Sequence, residues 1–281
     1  MGGLSKKASL INELQRDTQR PTLVITGGNL LFPSDRLDME AVSKAKITAE
    51  GLLAATQKMG ATFAAIGSRD LAAGLNWLQQ SHKPPAFSWL SANLVQPASR
   101  KPLFTPVLYR QVGGVKIAIL AVTDHTVFTE QQSDFLVQDW RTSLPAVVAA
   151  AAKEANCVLL LSNYASSENQ EIARTISTID LILQTGHAIG NMAPVPVNNT
   201  LIAQTEIRGK YLGVLDIDWL NRGAWHEQTA LPGNEEKKPT ASLYSNRFIP
   251  LKQSLASDPG IEALVKQTQR RIDQLQRGHT P

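Results

Sequence analysis

The residues best suited to chemistry sit where apolar runs end in short polar turns. Ile179, Leu181, Ile182 and Leu183 lead through Gln184-Thr185 into Gly186-His187. This pattern reads as a buried strand that delivers one imidazole to a loop at its end. Neutral imidazole is the commonest protein metal ligand, and open α/β sheets place ligands at strand ends. A lone histidine after a strand also serves as an ordinary hydrogen-bonding residue, so the significance of His187 depends on its company. Three further apolar runs end in Gly27-Gly28-Asn29, Gly67-Ser68-Arg69-Asp70 and Ser162-Asn163. Asn29 and Asn163 offer amide oxygens, Ser68 a hydroxyl and Asp70 a carboxylate. Arg69 adds a permanent cation with a planar fork of donors that suits phosphate or carboxylate. The structural alternative pairs Arg69 with Asp70 or another carboxylate and uses the asparagines to cap turns. Both readings stay open on these residues alone.

The other reactive side chains point to structure. Asp124-His125 follows an apolar run and reads as a packed, hydrogen-bonding pair, while His82, His226 and His279 lie in polar or terminal stretches and read as solvated. The single cysteine, Cys157, stands beside a buried run and reads as packing, and one cysteine excludes an intramolecular disulfide. Trp77, Trp89, Trp140, Trp219 and Trp225 are too scattered for a stacking platform and read as anchors. Asn198-Asn199-Thr200 matches a glycosylation acceptor, a pattern frequent by chance.

At 281 residues, 43% hydrophobic and 19% charged, the chain can bury a sizeable core in one large domain or two small ones. A net charge of +4 without a long Lys/Arg run carries no nucleic-acid footprint. No apolar run approaches the length of a transmembrane helix, and no signal peptide is legible.

Stepping along the chain, 4–16 reads as an amphipathic helix, 23–25 as a short strand, and 39–58 as a helix stopped by Gly60. A strand at 63–66, a helix to about Gln80 and a strand at 87–93 follow. Val107–Val112 and Val115–Val122 flank Gly113-Gly114 as an antiparallel hairpin. Helices are expected at 145–155 and 168–176, with strands at 157–161 and 179–186. Residues 201–206 and 211–219 read as a second antiparallel pair around Gly209. The polar stretch 222–241 reads as a loop. Residues 257–277 read as a helix with Ser257 or Asp258 as N-cap and Pro259 in its first turn. Alternating strands and helices in one part and hairpins in another imply mixed sheets with helices outside.

In their order, these segments resemble the metallophosphatase domain of bacterial 5'-nucleotidases and UDP-sugar hydrolases, within the calcineurin-like metallophosphoesterases. The resemblance rests on Gly-Gly-Leu at 2–4, the strand and Leu-Leu-Phe at 23–32, Gly-x-x-Asp-Leu at 67–71 and Leu-Ser-Ala-Asn at 90–93. It continues in Gly-Gly-Val-Lys-Ile at 113–117, Leu-Ser at 161–162, Ile-Asp-Leu-Ile at 179–182, Gly-His at 186–187 and Gly-Lys-Tyr-Leu-Gly at 209–213. It implies an α/β four-layer αββα sandwich of two mixed β-sheets flanked by helices. The implied organisation is a domain over 1–221, a linker or loop over 222–256 and a C-terminal helix over 257–281 packed on the domain. The family's separate C-terminal substrate domain is expected to have no counterpart here. An exported or periplasmic location is the expectation that follows from the family.

The family holds two divalent metals, Mn or Zn being the candidates here. The ions lie about 3.5–4 Å apart, clamp the phosphate and generate a hydroxide. An anionic carboxylate must bridge them. The family's opening Asp-x-His would lie just before Gly2 and is expected to be missing, its bridging Gly-Asp matches Gly28-Asn29, and its Gly-Asn-His-Asp/Glu matches Gly67-Ser68-Arg69-Asp70. Its Ser-His matches Ser162-Asn163, and its Gly-His-x-His matches Gly186-His187-Ala188-Ile189. His187 is thus the only retained family ligand, and Arg69-Asp70 is a vestige of the catalytic pair. The expectation is a degenerate site with no cofactor, lined by Asn29, Ser68, Arg69, Asn163 and His187, that binds phosphate or a small anion or serves a protein partner. The alternative is a metal-dependent phosphoesterase with a reduced site.

Overall fold

The computed structural model describes residues 3–81, 87–129, 132–186, 190–228 and 240–277. One six-stranded sheet dominates. Its order is β4 (Val107–Val112), β5 (Val115–Val122), β7 (Cys157–Ser162), β8 (Leu181–Gln184), β10 (Thr200–Gln204) and β9 (Met192–Val197). The inner strands β5, β7, β8 and β10 run parallel, and β4 and β9 close the two edges antiparallel. Pro194 and Pro196 are tolerated in β9 because it is an edge, where a missing N–H costs no ladder bond.

Period-two burial explains how the layers stack. Ala118, Leu120 and Val122 of β5, with Val158 and Leu160 of β7, join one core cluster with Trp140, Leu144 and Val148 of α4 (Trp140–Glu154) and Ile172 and Ala173 of α5 (Ser166–Thr175). The intervening residues Ile119, Ala121, Leu159 and Leu161 face the opposite way. They meet Phe63 and Ala65 of β1 (Phe63–Ala65), Leu90 of β2 (Ser88–Leu90), Trp225 of β12 (Trp225–Glu227) and Tyr244 of β13 (Ser242–Pro250). This second layer comprises the parallel pair β1-β2 and the three-stranded sheet β11 (Tyr211–Asp218)-β13-β12. Two short strands, β3 (Leu94–Val95) and β6 (Leu136–Val137), form a separate pair. Beyond β1-β2 lie α2 (Val42–Lys58) and α3 (Leu75–Gln80). The helix α1 (Leu4–Gln15) and the C-terminal α6 (Pro259–Arg277) complete the outer layer with α2. The four-layer αββα arrangement is therefore present.

Several local expectations give way to tertiary pairing. Residues 201–206 and 211–219 are not a hairpin. Every residue of β10 is buried, and the strand pairs inside the large sheet, while β11 crosses to the other sheet and pairs with β13 from Tyr211–Pro250 to Asp218–Leu243. The stretch 222–256 is not a linker throughout. It supplies β12 and β13, and Trp225 packs against Trp219 and Tyr244 with ring centroids 5.7 and 6.5 Å apart. Its polar segment 229–239 lies outside the described residues. Residues 23–25 form no strand, and pairing there is confined to the bridge Thr26–Ala64. Helix α4 begins five residues before Pro145, because Asp139 caps it by accepting the Arg141 N–H at 2.9 Å. Pro145 sits on the exposed face, where water can satisfy the carbonyl it leaves free. At the C-terminal helix Asp258 is the cap, accepting the Ile261 N–H at 2.8 Å ahead of Pro259. Thr200 of the glycosylation-like triplet is fully buried and donates to the Ile179 carbonyl.

One buried ion pair ties the end of the large sheet to the 222 turn. Asp180 is 1% exposed, accepts the Val158 N–H at 2.7 Å and meets Arg222 Nε at 3.3 Å. Arg222 also donates to the Ala155 carbonyl at 2.9 Å. Burial pushes the Asp180 carboxyl up to about 6 against the opposing pull of that N–H and of Arg222. Arg222→Ala would leave a buried carboxylate without its cation. A loss of about 2 kcal/mol in urea denaturation is expected, below the value for a fully buried pair because Arg222 is partly exposed.

Candidate functional site

The C-terminal ends of β1, β7 and β8 converge with the Gly27-Gly28-Asn29 turn, and close backbone approach makes that convergence possible. A Cβ on Gly28 would stand 2.6 Å from the Gly67 amide nitrogen and 2.7 Å from Asn163 Nδ2. A Cβ on Gly186 would stand 1.8 Å from the Asn163 carbonyl oxygen. Neither position admits another residue without moving backbone. Asn29 adopts φ 60°, a left-handed conformation that asparagine tolerates better than most residues, and its Oδ1 accepts the Arg69 N–H at 3.0 Å. Asn29, Arg69 and Asn163 are thus brought to one place from strand ends far apart in sequence. Ser68 lies beside them and its hydroxyl donates to Asp35 Oδ1. His187 lies outside the described residues, which resume at Gly190.

Asp70, which the resemblance reads as a vestige of the catalytic pair, holds backbone here. It is fully buried, and its carboxylate accepts the N–H groups of Asn29 at 2.7 Å, Leu31 at 2.9 Å and Gly67 at 2.9 Å. The side chain is a clamp between two loops, turned away from solvent. The expectation that Arg69 pairs with Asp70 fails for the same reason, since backbone amides occupy the carboxylate. Among the described residues the half-buried Arg69 guanidinium makes no ion pair.

Asn163 is 3% exposed. Its Nδ2 donates to Thr185 Oγ1 at 2.6 Å, and the Thr185 hydroxyl in turn donates to the Ser162 carbonyl at 3.2 Å. That chain fixes the orientation of the amide and leaves Asn163 Oδ1 buried without a hydrogen-bond partner. Sequence reasoning passed over Thr185 and Asp35. Thr185 carried one usable signal, a hydroxyl immediately before the Gly-His turn.

Next to this centre, His125 Nδ1 lies 2.7 Å from the Tyr164 hydroxyl and Nε2 lies 3.8 Å from Asp139. Glu168 accepts from Trp140 Nε1 and from Arg141, both at 2.6 Å. These contacts hold the β5 and β7 loops against α4 and α5. His226 is exposed on β12, and His82 and His279 lie outside the described residues. Burial pushes the Cys157 thiol well above its usual range, which makes it inert packing.

Among the described residues, the donors at the strand ends do not fit a pair of dications. The amide oxygens of Asn29 and Asn163 are neutral, Arg69 is cationic, and the Asp70 carboxylate is spent on backbone. Among the described residues no three His, Cys, Asp or Glu side chains converge. A bridging carboxylate is what two dications 4 Å apart require.

No family model matches the sequence. Among curated proteins, Protein UshA of Yersinia enterocolitica is 24% identical over 300 residues, covering 94% of this chain and 54% of that protein. Among solved structures, the sulfate thiohydrolase SoxB of Thermus thermophilus superposes with a TM-score of 0.77 at 20% identity, over 95% of this chain and 46% of that one. The calcineurin-like phosphoesterase YfkN of Bacillus subtilis superposes with a TM-score of 0.72 at 17% identity, over 98% and 90% of the two chains. This chain has the calcineurin-like phosphoesterase fold. A 5'-nucleotidase precursor of Thermus thermophilus shares the phosphoesterase fold at a TM-score of 0.70 and 17% identity, over 97% of this chain and 54% of that one. The resemblance to the phosphatase part of 5'-nucleotidases thus holds in three dimensions. The chain spans about half the length of the curated relative it matches.

The Asp70 clamp has a definite pH signature. Burial outweighs the backbone N–H groups around it and pushes its carboxyl up from 3.8 to about 6. A raised folded-state value means that the folded chain holds the proton more tightly than the unfolded chain. The group's contribution to stability is therefore greatest below about pH 4 and is lost as pH rises through 6. Against Asp70→Asn, which does not titrate, wild-type stability should fall by about 2.4 kcal/mol between pH 4 and pH 7. Denaturant titration of both proteins across that range checks the sign.

Proposed function

We propose that this domain is a catalytically degenerate 5'-nucleotidase-like protein whose old active site binds a small oxyanion through Arg69 without a metal pair. The observation that carries this reading is the disposition of the two adjacent charges. The acid is buried as a structural clamp, and the base is left half-buried at the converging strand ends without an ion pair among the described residues. Arg69, on the strand ends that also carry Asn29, Ser68 and Asn163, brings the donor fork that phosphate-like anions need. Most of the ligand positions implied by the resemblance now carry residues that cannot charge-balance two dications. Loss of even a supporting contact typically weakens metal binding about 10–100-fold. The relation to largely exported proteins supports a periplasmic or exported setting for this binding role.

A second reading has one observation in its favour. The unpartnered Asn163 Oδ1 is an oxygen donor that a single cation could use, with His187 as a further ligand. Under this reading the domain is a metal-dependent phosphoesterase with a reduced site. The bound ion would polarise a phosphoryl oxygen, and Asn163 and His187 would orient it.

Elemental analysis after incubation with Mn and Zn and desalting separates the two. The proposed reading expects less than about 0.1 metal per chain, whereas a stoichiometric ion supports the reduced phosphoesterase site. Inorganic phosphate at a hundred times its Kd should stabilise the domain by about 2.7 kcal/mol, and Arg69→Ala should abolish the protection. Stabilisation that survives Arg69→Ala would place the anion elsewhere.

A further inference from the structure

A pair of buried amides lies on the α5 side of the large sheet. Gln184 and Gln204 are register partners on the parallel strands β8 and β10, 5% and 7% exposed, on the same face as Ile182 and Ile202. Backbone carbonyls, which only accept, fix the direction of each amide. The Tyr164 carbonyl accepts Asn169 Nδ2 at 2.9 Å, so Asn169 also presents nitrogen to Gln184 Oε1 at 3.1 Å. The Gly190 carbonyl accepts Gln204 Nε2 at 3.0 Å. Turning the Asn169 or the Gln204 amide would set oxygen against oxygen. Gln184 Nε2 and Gln204 Oε1 are left over, without a hydrogen-bond partner among the described residues, and neither is sealed off as Asn169 Oδ1 is. Both residues line one cleft beside α5, walled by Ile202, Met192 and Val195. Met192 and Val195 are 42% and 46% exposed, an apolar rim on the edge strand. The cavity volume of about 40 Å³ is roughly three times what one water molecule needs, which suits a group of about three or four heavy atoms.

Independently of the anion-binding reading, we propose that this cleft takes uncharged ligands that present a primary carboxamide on an apolar body. The carboxamide oxygen accepts from Gln184 Nε2, its N–H donates to Gln204 Oε1, and the body lies over Met192 and Val195. A carboxylate has no hydrogen for Gln204 Oε1, and no charged side chain lines the cleft to meet its charge. An ammonium brings only donors and leaves Gln184 Nε2 without an acceptor. A hydroxyl can pair both ways but fills only about a third of the space. A site built around buried polar groups discriminates strongly against an analogue that leaves one of them unpaired.

NMR titration of the isotope-labelled whole chain tests this with benzamide, acetophenone, benzyl alcohol and sodium benzoate, which share a ring and differ in the group they present. Benzamide should bind at least about tenfold more tightly than each of the others and should move the side-chain amide signals of Gln184 and Gln204. Gln204→Met keeps the length and removes the acceptor, so it should bring benzamide and acetophenone to within about twofold. Circular dichroism reports whether the variant folds, and should it misfold, the wild-type amide signals still locate the ligand. N-acetylglutamine methylamide distinguishes the sources of the carboxamide. Binding tighter than that of benzamide assigns it to a glutamine side chain of a partner chain, and weaker binding assigns it to a small molecule. Acetophenone or benzyl alcohol binding wild type as tightly as benzamide would overturn the proposal. So would a benzamide preference that persists in folded Gln204→Met, signal changes confined to other amides, or no binding of benzamide. The phosphate protection that depends on Arg69 is measured separately, so failure here leaves the anion-binding reading standing.

Discussion

A single buried carboxylate holds the functional end of this fold together. Asp70 gathers N–H groups from the 27–31 turn and from Gly67, which leave their strands with no ladder partner. Buried amides without acceptors are expensive, and one carboxylate with two oxygens satisfies three of them. The cost is a charge taken out of water, visible in its raised proton affinity. Once Asp70 fixes the two turns, Asn29 can receive the Arg69 N–H and Gly28 can press against the Asn163 amide.

That arrangement redistributes charge where related folds do metal chemistry. The acid next to Arg69 is internal, and the Ser68 hydroxyl beside it donates to Asp35. Asn163 refines this further. Its amide is tied down on the nitrogen side and bare on the oxygen side. The Asn93 amide shows the contrast. It donates to the Thr123 and Gln138 carbonyls and accepts the Thr123 N–H, which makes it a fully satisfied structural cross-link. Asn169 of α5 shares the pattern of Asn163, its Nδ2 bonded to the Tyr164 carbonyl and Gln184 and its Oδ1 without a partner.

Around this end the layers give rigidity. The inner strands of the large sheet are apolar on both faces, one covered by α4 and α5 and the other by the second sheet layer. Packing on both faces leaves strand ends as the only backbone free to approach a ligand. The His125, Tyr164, Asp139 and Glu168 contacts brace the neighbouring loops against the helix starts.

Much of this was legible from the sequence. Runs such as Ala118–Val122 and Cys157–Leu161 are buried strands whatever their neighbours, because continuous apolar stretches need cover on both faces. The spacing in α1, α2 and α6 implies one-sided helices, and Asp258-Pro259 marks a helix start by local chemistry alone. The order of glycine turns after these runs was enough to recognise the architecture. Pairing was not legible. Nothing local in Leu201–Glu206 says that it joins β8 instead of Tyr211–Trp219, since strand partners are chosen by which faces must be covered. β13 hid in a polar stretch because its stability comes from β11 and from Trp225, not from its own pattern. The site divides in the same way. Residue types alone placed Asn29, Arg69 and Asn163 at strand ends where the family resemblance implies acids and histidines. Only the tertiary structure decided that Asp70 faces inward to backbone amides, that Arg69 is left without it, and that Asn163 keeps an oxygen unpaired, because hydrogen-bond partners far apart in sequence are assigned by packing.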